Sequence, residues 1–190
     1  MAPHPHSSFQ DDFGSVIEAA RAGDGRALER IYATLAPAVT GFFRLQRAAE
    51  PDDLTSEVFL GVLRNLHRFQ GDEEQFRSWV FTIAYRRLAD ERRSAGRRPQ
   101  LQPLHEAPEP ADVTDVEADV ERLLATRRVR ELCADLPPSQ RDVLLLRLVG
   151  RMTVDDIAAA TERSRGAVKA LQRRGLAAVT SHIERAGVPL

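Results

Sequence analysis

Apolar positions recur every three or four residues through much of this chain. In "GRALERIYATLAPAVTGFFRL" (25–45), Leu28, Ile31, Tyr32, Leu35, Val39, Phe42 and Phe43 fall at helical spacing, the pattern of a helix that buries one stripe. Pro37 sits inside the pattern and is expected to kink or divide the helix, because proline lacks the N–H the ladder needs. A second helix is predicted over "DDLTSEVFLGVLRNLHRF", with Leu54, Val58, Val62 and Leu66 inward and Phe59 and Leu63 widening the stripe. Its leading acids suit a helix N-terminus. Gly71 interrupts, and "EEQFRSWVFTIAYRRLADERR" places Phe76, Trp79, Val80, Ile83, Ala84 and Leu88 on one arc.

The periodicity lapses over 99–121 and returns in "ERLLATRRVRELCADL", with Leu123, Leu124, Val129 and Leu132, and in "PPSQRDVLLLRLVG", where Gly150 is placed as a stop. Thr153 is the expected N-cap of a short helix, with Asp156 at the capping-box position. Ile157 and Ala158 face inward, "ERSR" makes a turn, and Val168, Leu171, Leu176 and Val179 form the inner side of a last helix. Two short helices about a tight turn make a helix-turn-helix. No strand-like alternation of useful length and no repeat is visible. The fold class read from this pattern is all-α, with two small helical domains. The divisions are a 1–23 N-terminal segment, a 24–98 domain, a 99–121 linker and a 122–186 domain.

Charge alters this picture in one respect. Seven acids (Glu106, Glu109, Asp112, Asp115, Glu117, Asp119, Glu121) and no Lys or Arg lie within 99–121, beside Pro99, Pro103, Pro108 and Pro110. Removing that −7 from a net charge of −1 leaves +6 on the remainder. A basic body joined by an acidic strap points toward nucleic acid. On the last helix Arg165, Lys169 and Arg173 stand four apart in one row, flanked by Arg174, and such a helix can enter a major groove. Between 85 and 98 lie six Arg against two acids. Arg86 and Arg93 share a face there with Thr82 and Ala89, and Tyr85 stands at its edge, where a base could stack. Trp79 reads as a core residue. The second helix exposes Asp53, Ser56, Glu57, Gly61, Arg64, Asn65 and Arg68, which is a solvent face or a protein-docking face.

Catalytic and metal chemistry find no support. Cys133 is the only cysteine, which excludes an internal disulfide. His4, His6, His67, His105 and His182 offer no ligand pair at helical spacing, and no phosphate-cradling loop or nucleophile motif occurs. No metal and no cofactor is expected. No apolar run approaches a membrane span, no export signal is visible, and a reducing cytoplasm is the expected location.

Taken together, these motifs resemble a bacterial sigma factor of the extracytoplasmic-function (ECF) type, within the sigma-70 family, over about 24–98 and 122–184. "DDLTSEVFLGVLRNLHRF" is similar to the helix that docks on core RNA polymerase, which implies contacts from Asp53, Leu54, Ser56, Glu57, Phe59, Leu60 and Arg64. "FRSWVFTIAYRRLADERR" is similar to the region-two segment that captures the melted −10 element, which implies Tyr85, Arg86, Arg87, Asp90 and Arg93. "LPPSQRDVLLLRLVGRMTVDDIAAATERSRGAVKALQRRGLAAV" is similar to region four, which reads the −35 duplex and implies Ser164, Arg165, Lys169, Gln172, Arg173 and Arg174. Two positions depart from the family pattern: Ser56 where Gln is frequent, and Arg86 where Asn is frequent. The partners so implied are core RNA polymerase, promoter DNA and an anti-sigma factor, with no membrane. The acidic linker would then lie in a positively lined channel of the polymerase. A stand-alone helix-turn-helix regulator and a scaffold protein on the same helices are the alternative readings.

Overall fold

The computed structural model describes residue 9 and residues 12–95, 131–133 and 135–185. Among these, every regular element is helical. The first module holds α1 (Phe13–Arg21), α2 (Gly25–Leu45), α3 (Pro51–Asn65), a 3-10 turn (Leu66–Arg68) and α4 (Glu73–Ala95). The second holds α5 (Pro138–Leu148), α6 (Val154–Thr161) and α7 (Arg165–Arg185).

Each start has a local cause. The Asp24 carboxylate accepts from the Arg26 and Ala27 amides at 2.7 and 3.3 Å and so caps α2. Pro51 opens α3, followed by Asp52 and Asp53 in the first turn. Before α4, the Asp72 carboxylate accepts from the Gln75 amide at 2.8 Å, while the Gln75 side chain accepts from the Asp72 amide at 3.0 Å. That reciprocal pair leaves no room for a side chain at Gly71, whose φ is +148°.

α1 was not singled out by the periodicity. It packs on α2 and buries Val16, Ile17 and Ala20, and Phe9 is buried beside it. Pro37 does not divide α2, which runs unbroken for 21 residues. The carbonyl of Ala33, which loses its usual donor there, belongs to an exposed residue where water can serve. The core rows hold: Val58, Val62, Phe76, Val80, Ala84 and Leu88 are fully enclosed, and Leu54 and Leu66 are buried. Three inward assignments fail. Tyr32, Leu63 and Leu176 are 46%, 41% and 46% exposed. Each lies at the edge of its helix stripe, and Tyr32 still meets Phe59 of α3 edge-on at 4.8 Å between ring centroids. Leu123, Leu124, Val129 and the acidic linker lie outside the described residues.

In the second module, Thr153 and Asp156 form the expected capping box at α6. Glu162 ends that helix in the left-handed conformation at φ 54°. Arg141 is buried at the start of α5 and donates to the carbonyls of Cys133 and Leu136 at 2.8 and 3.0 Å, tying the preceding segment down. Burial holds its guanidinium below the usual arginine range, with Arg47 nearby adding to the effect.

The modules share one buried cluster. α6 packs on α4, and Phe81 of α4 is fully enclosed. A side chain added at Gly150 would reach within 3.1 Å of the Phe81 ring and 2.6 Å of the Leu146 carbonyl oxygen, so glycine permits this close approach. Arg77 donates to the Val149 carbonyl at 2.8 Å and lies 5.4 Å over the Phe81 ring.

Candidate nucleic-acid interface

The basic row of the last helix is where its spacing places it. Lys169, Arg173 and Arg174 are exposed on α7, Gln172 is half-buried, and Val168 and Leu171 on the other side are enclosed. Ser164 caps the helix by accepting from the Ala167 amide at 3.2 Å. Arg165 pairs with Asp155 of α6 at 2.7 Å, fastening the two helices of the motif across their turn. The leading half of α7 is cationic, with Lys169, Arg173 and Arg174 exposed among the described residues.

A second cationic surface forms on α4. Arg86 and Arg93 are exposed on it, and Arg93 bridges to Asp90 at 3.2 Å. Arg87 lies at the α3 side, 3.6 Å from Glu57. Beside Arg86 opens a cavity of about 320 Å³, lined by Asn65, Arg68, Phe69, Trp79, Ile83 and Arg86. Trp79 is half-buried at the edge of the core and stacks on the buried Phe69, with ring centroids 5.3 Å apart and planes 27° apart. The helical pattern assigned Asn65 and Arg68 to the outer face of α3. Both are exposed, Asn65 as the last residue of α3 and Arg68 as the last of the 3-10 turn, and both line this cavity. Asn65 donates to the Gly61 carbonyl at 2.8 Å, which leaves its side-chain oxygen as an acceptor.

The cavity loop is held from behind. Arg21 of α1 donates to the carbonyls of Leu66, at 3.4 Å, and of Phe69. It also pairs with Glu18 at 2.7 Å. Neither Arg21 nor α1 carries a sequence signal for this role, since the bond spans 45 residues and more.

Tyr85 is half-buried, turned toward the second module rather than to open solvent. Its hydroxyl lies 3.5 Å from the Asp142 carboxylate. Burial pushes the phenol above the usual tyrosine range and the Asp142 charge pushes it further, while Arg163 and Arg92 act in the opposite sense.

The outer face of α3 is mixed. Asp53 and Arg64 are exposed, Ser56 donates to the Asp52 carbonyl at 3.0 Å, and Leu60 is 51% exposed. Leu54 and Phe59 are buried and belong to the core. Leu60 and Leu63 are exposed on α3, and the exposed Tyr32 of α2 meets the buried Phe59 edge-on with ring centroids 4.8 Å apart.

Among the described residues, no group of His, Cys, Asp or Glu could hold a metal ion, and no helix is long and apolar enough to cross a membrane. Burial raises the Cys133 thiol above its usual range, which disfavours the thiolate.

Two helical modules, one with a helix-turn-helix whose last helix has an exposed cationic row and one with an arginine face beside an aromatic cavity, have the architecture of a DNA-binding factor. Residues 31–98 match the family sigma-70 region 2, and residues 126–179 match sigma-70, region 4. The chain is 32% identical over 181 residues to the ECF RNA polymerase sigma factor SigD of Mycobacterium tuberculosis, covering 91% of this chain and 84% of SigD. It is 30% identical over 184 residues to the ECF RNA polymerase sigma factor ShbA of Streptomyces griseus, covering 90% and 95%. A solved structure of CnrH in complex with the cytosolic domain of CnrY shares the fold at a TM-score of 0.62 and 22% identity, over 92% of this chain and 99% of CnrH. The chain therefore belongs to the ECF family of RNA polymerase sigma factors. Members of this family are non-enzymatic initiation factors that act with core RNA polymerase on promoter DNA.

Proposed function

We propose that α7 reads the −35 element as duplex while the α4 surface captures one separated strand of the −10 element. Lys169, Arg173 and Arg174 serve as phosphate and base-edge contacts, with Ser164, Arg165 and Gln172 at the same end of the helix. Phosphate contacts set register and base-edge contacts supply sequence preference.

The observation that carries the strand reading is the Phe69–Trp79 stack facing Asn65, Arg68 and Arg86 across one cavity. An unstacked base needs an aromatic or apolar wall and a few edge donors and acceptors. Phe69 and Trp79 supply the wall. Arg86 and Arg68 supply donors, and Asn65 supplies the acceptor that an arginine at position 86 cannot. Because such a site accepts only the unstacked state, binding there draws the duplex open by mass action. Arg87 and Asp90 shape the arginine face around it, with Arg93 extending the positive surface along the strand.

The outer face of α3, with Asp53, Ser56, Glu57, Leu60 and Arg64, is read as the docking face for core polymerase. The chain itself performs no bond chemistry: polymerase does, in the cytoplasm. An anti-sigma protein is the regulatory partner that the family resemblance implies.

The test is run-off transcription with core polymerase on a genomic fragment library. The expected result is a defined set of start sites that depends on this chain. Trp79→Ala should reduce strand opening at those sites, and Lys169→Ala with Arg173→Ala should reduce promoter occupancy. A chain that occupies duplex operators equally well without polymerase, and leaves transcript yield unchanged, would overturn the reading.

A further inference from the structure

Asp142 of α5 stands where the two modules meet. Its carboxylate is 9% exposed and accepts from Arg92 at 3.0 and 3.3 Å and from the Gln46 amide at 3.0 Å. The Tyr85 hydroxyl lies 3.5 Å away, and Arg92 closes the ring by donating to the Gln46 side-chain oxygen at 2.8 Å. Every donor to the Asp142 carboxylate belongs to the first module, and the carboxylate itself to the second.

Tyr85 and Arg92 are seven residues apart on α4. They form a row about 100° round the helix from Arg86 and Arg93, next to the surface that carries the strand reading. A guanidinium, an amide N–H and a phenol O–H converging on one pair of anionic oxygens is a donor set that a phosphodiester also satisfies. We propose that Arg92, Gln46 and Tyr85 form a backbone-phosphate site for a single DNA strand, and that Asp142 fills this site in the free chain as an internal stand-in for phosphate. The proposal rests on the first module being the strand-binding one.

The arrangement makes closure and strand capture mutually exclusive. With Asp142 9% and Arg92 34% exposed, the pair gains Coulomb energy but sacrifices part of its hydration, and the two terms oppose each other. Separation restores water to Asp142, and an incoming strand restores an anion to Arg92. The contact is therefore suited to exchange rather than to permanent assembly. It would keep the free factor from engaging melted DNA until another partner has pulled the modules apart.

The test uses the full chain carrying Cys133→Ser and spin labels at the exposed positions Glu29 on α2 and Ala177 on α7. Dipolar spectroscopy should show one narrow distance in the otherwise unaltered chain. Asp142→Arg should broaden and lengthen it. The charge swap of Asp142→Arg with Arg92→Asp should narrow it again, which a merely misfolded variant could not do. A labelled single-stranded oligodeoxynucleotide should bind the Asp142→Ala chain more tightly, about tenfold if the open form is about one-tenth of the population. Adding Arg92→Ala should abolish that gain. A broad distance in the unaltered chain, or a narrow one in Asp142→Arg, overturns the closure. An Asp142→Ala chain that opens but binds the strand no better overturns the phosphate site. Absence of strand binding by every variant, even with core polymerase present, sinks the first-module reading instead.

Discussion

Trp79 lies over Phe69 with 27° between the ring planes, and the pair forms the aromatic wall of the cavity beside α4. Replacing Trp79 by Ala removes that wall without touching the α7 row. Stacking of this kind contributes about 1–3 kcal/mol per base. Open-complex formation, followed by permanganate reactivity of unpaired thymines, should fall roughly tenfold or more, while −35 footprints persist. Trp79→Phe should retain most of the activity.

Arg21 holds the Leu66 and Phe69 carbonyls, so it positions the cavity from outside it. Arg21→Ala should weaken strand binding and lower fold stability by about 1 kcal/mol, the usual scale of a lost hydrogen bond. Arg21→Lys keeps the charge but not the fork, and should recover stability more fully than strand binding. Equal recovery of both in Arg21→Lys would mean that the loop needs no orienting.

Lys169 and Arg173 are exposed on α7, a helix turn apart on one side. Neutralising a phosphate contact lowers the salt dependence of DNA binding by about one unit of slope. Each single Ala variant of holoenzyme should show that loss at a double-stranded −35 site. A contact to a base edge would instead relax preference at one position, so a sequence-variant series assigns each residue.

Tyr85 has a hydroxyl that the fold keeps protonated beyond the ordinary tyrosine value of 10.0. A proton held more tightly in the folded than in the unfolded chain stabilises the fold fully below the unfolded value. That contribution is lost as pH rises through the folded value. Of the two tyrosines, Tyr85 should therefore ionise late, seen by absorbance of tyrosinate near pH 10. Tyr85→Phe should delete the late step. Asp142→Asn should move it downward, because the neighbouring charge is gone.

Local rules made most of the helices readable. The Thr153–Asp156 capping box and the apolar row from Leu54 to Leu66 announce themselves within a few residues. The cationic side of α7 followed from spacing alone. What escaped detection depends on contacts distant along the chain. Arg68 reaches the cavity through the 3-10 turn that follows α3, and Trp79 lines it while stacking on Phe69 at the edge of the core. Leu63 and Leu176 fit an inward stripe, yet both stay exposed among the described residues. Gln46 and Asp142 are 96 residues apart and meet inside the fold, a pairing that no periodicity encodes.

The Gly150 contact with Phe81 has a thermal corollary. Apolar association weakens as water cools, whereas ionic strength acts on exposed charge and hardly reaches shielded charge. The seam between the modules joins an aromatic contact to an ion pair whose Asp142 is buried and whose Arg92 is 34% exposed, so chilling should loosen the first and added salt only weakly the second. In a cooled cell this factor would sample its separated form more often, and the supply of competent initiator would track temperature with no change in its abundance.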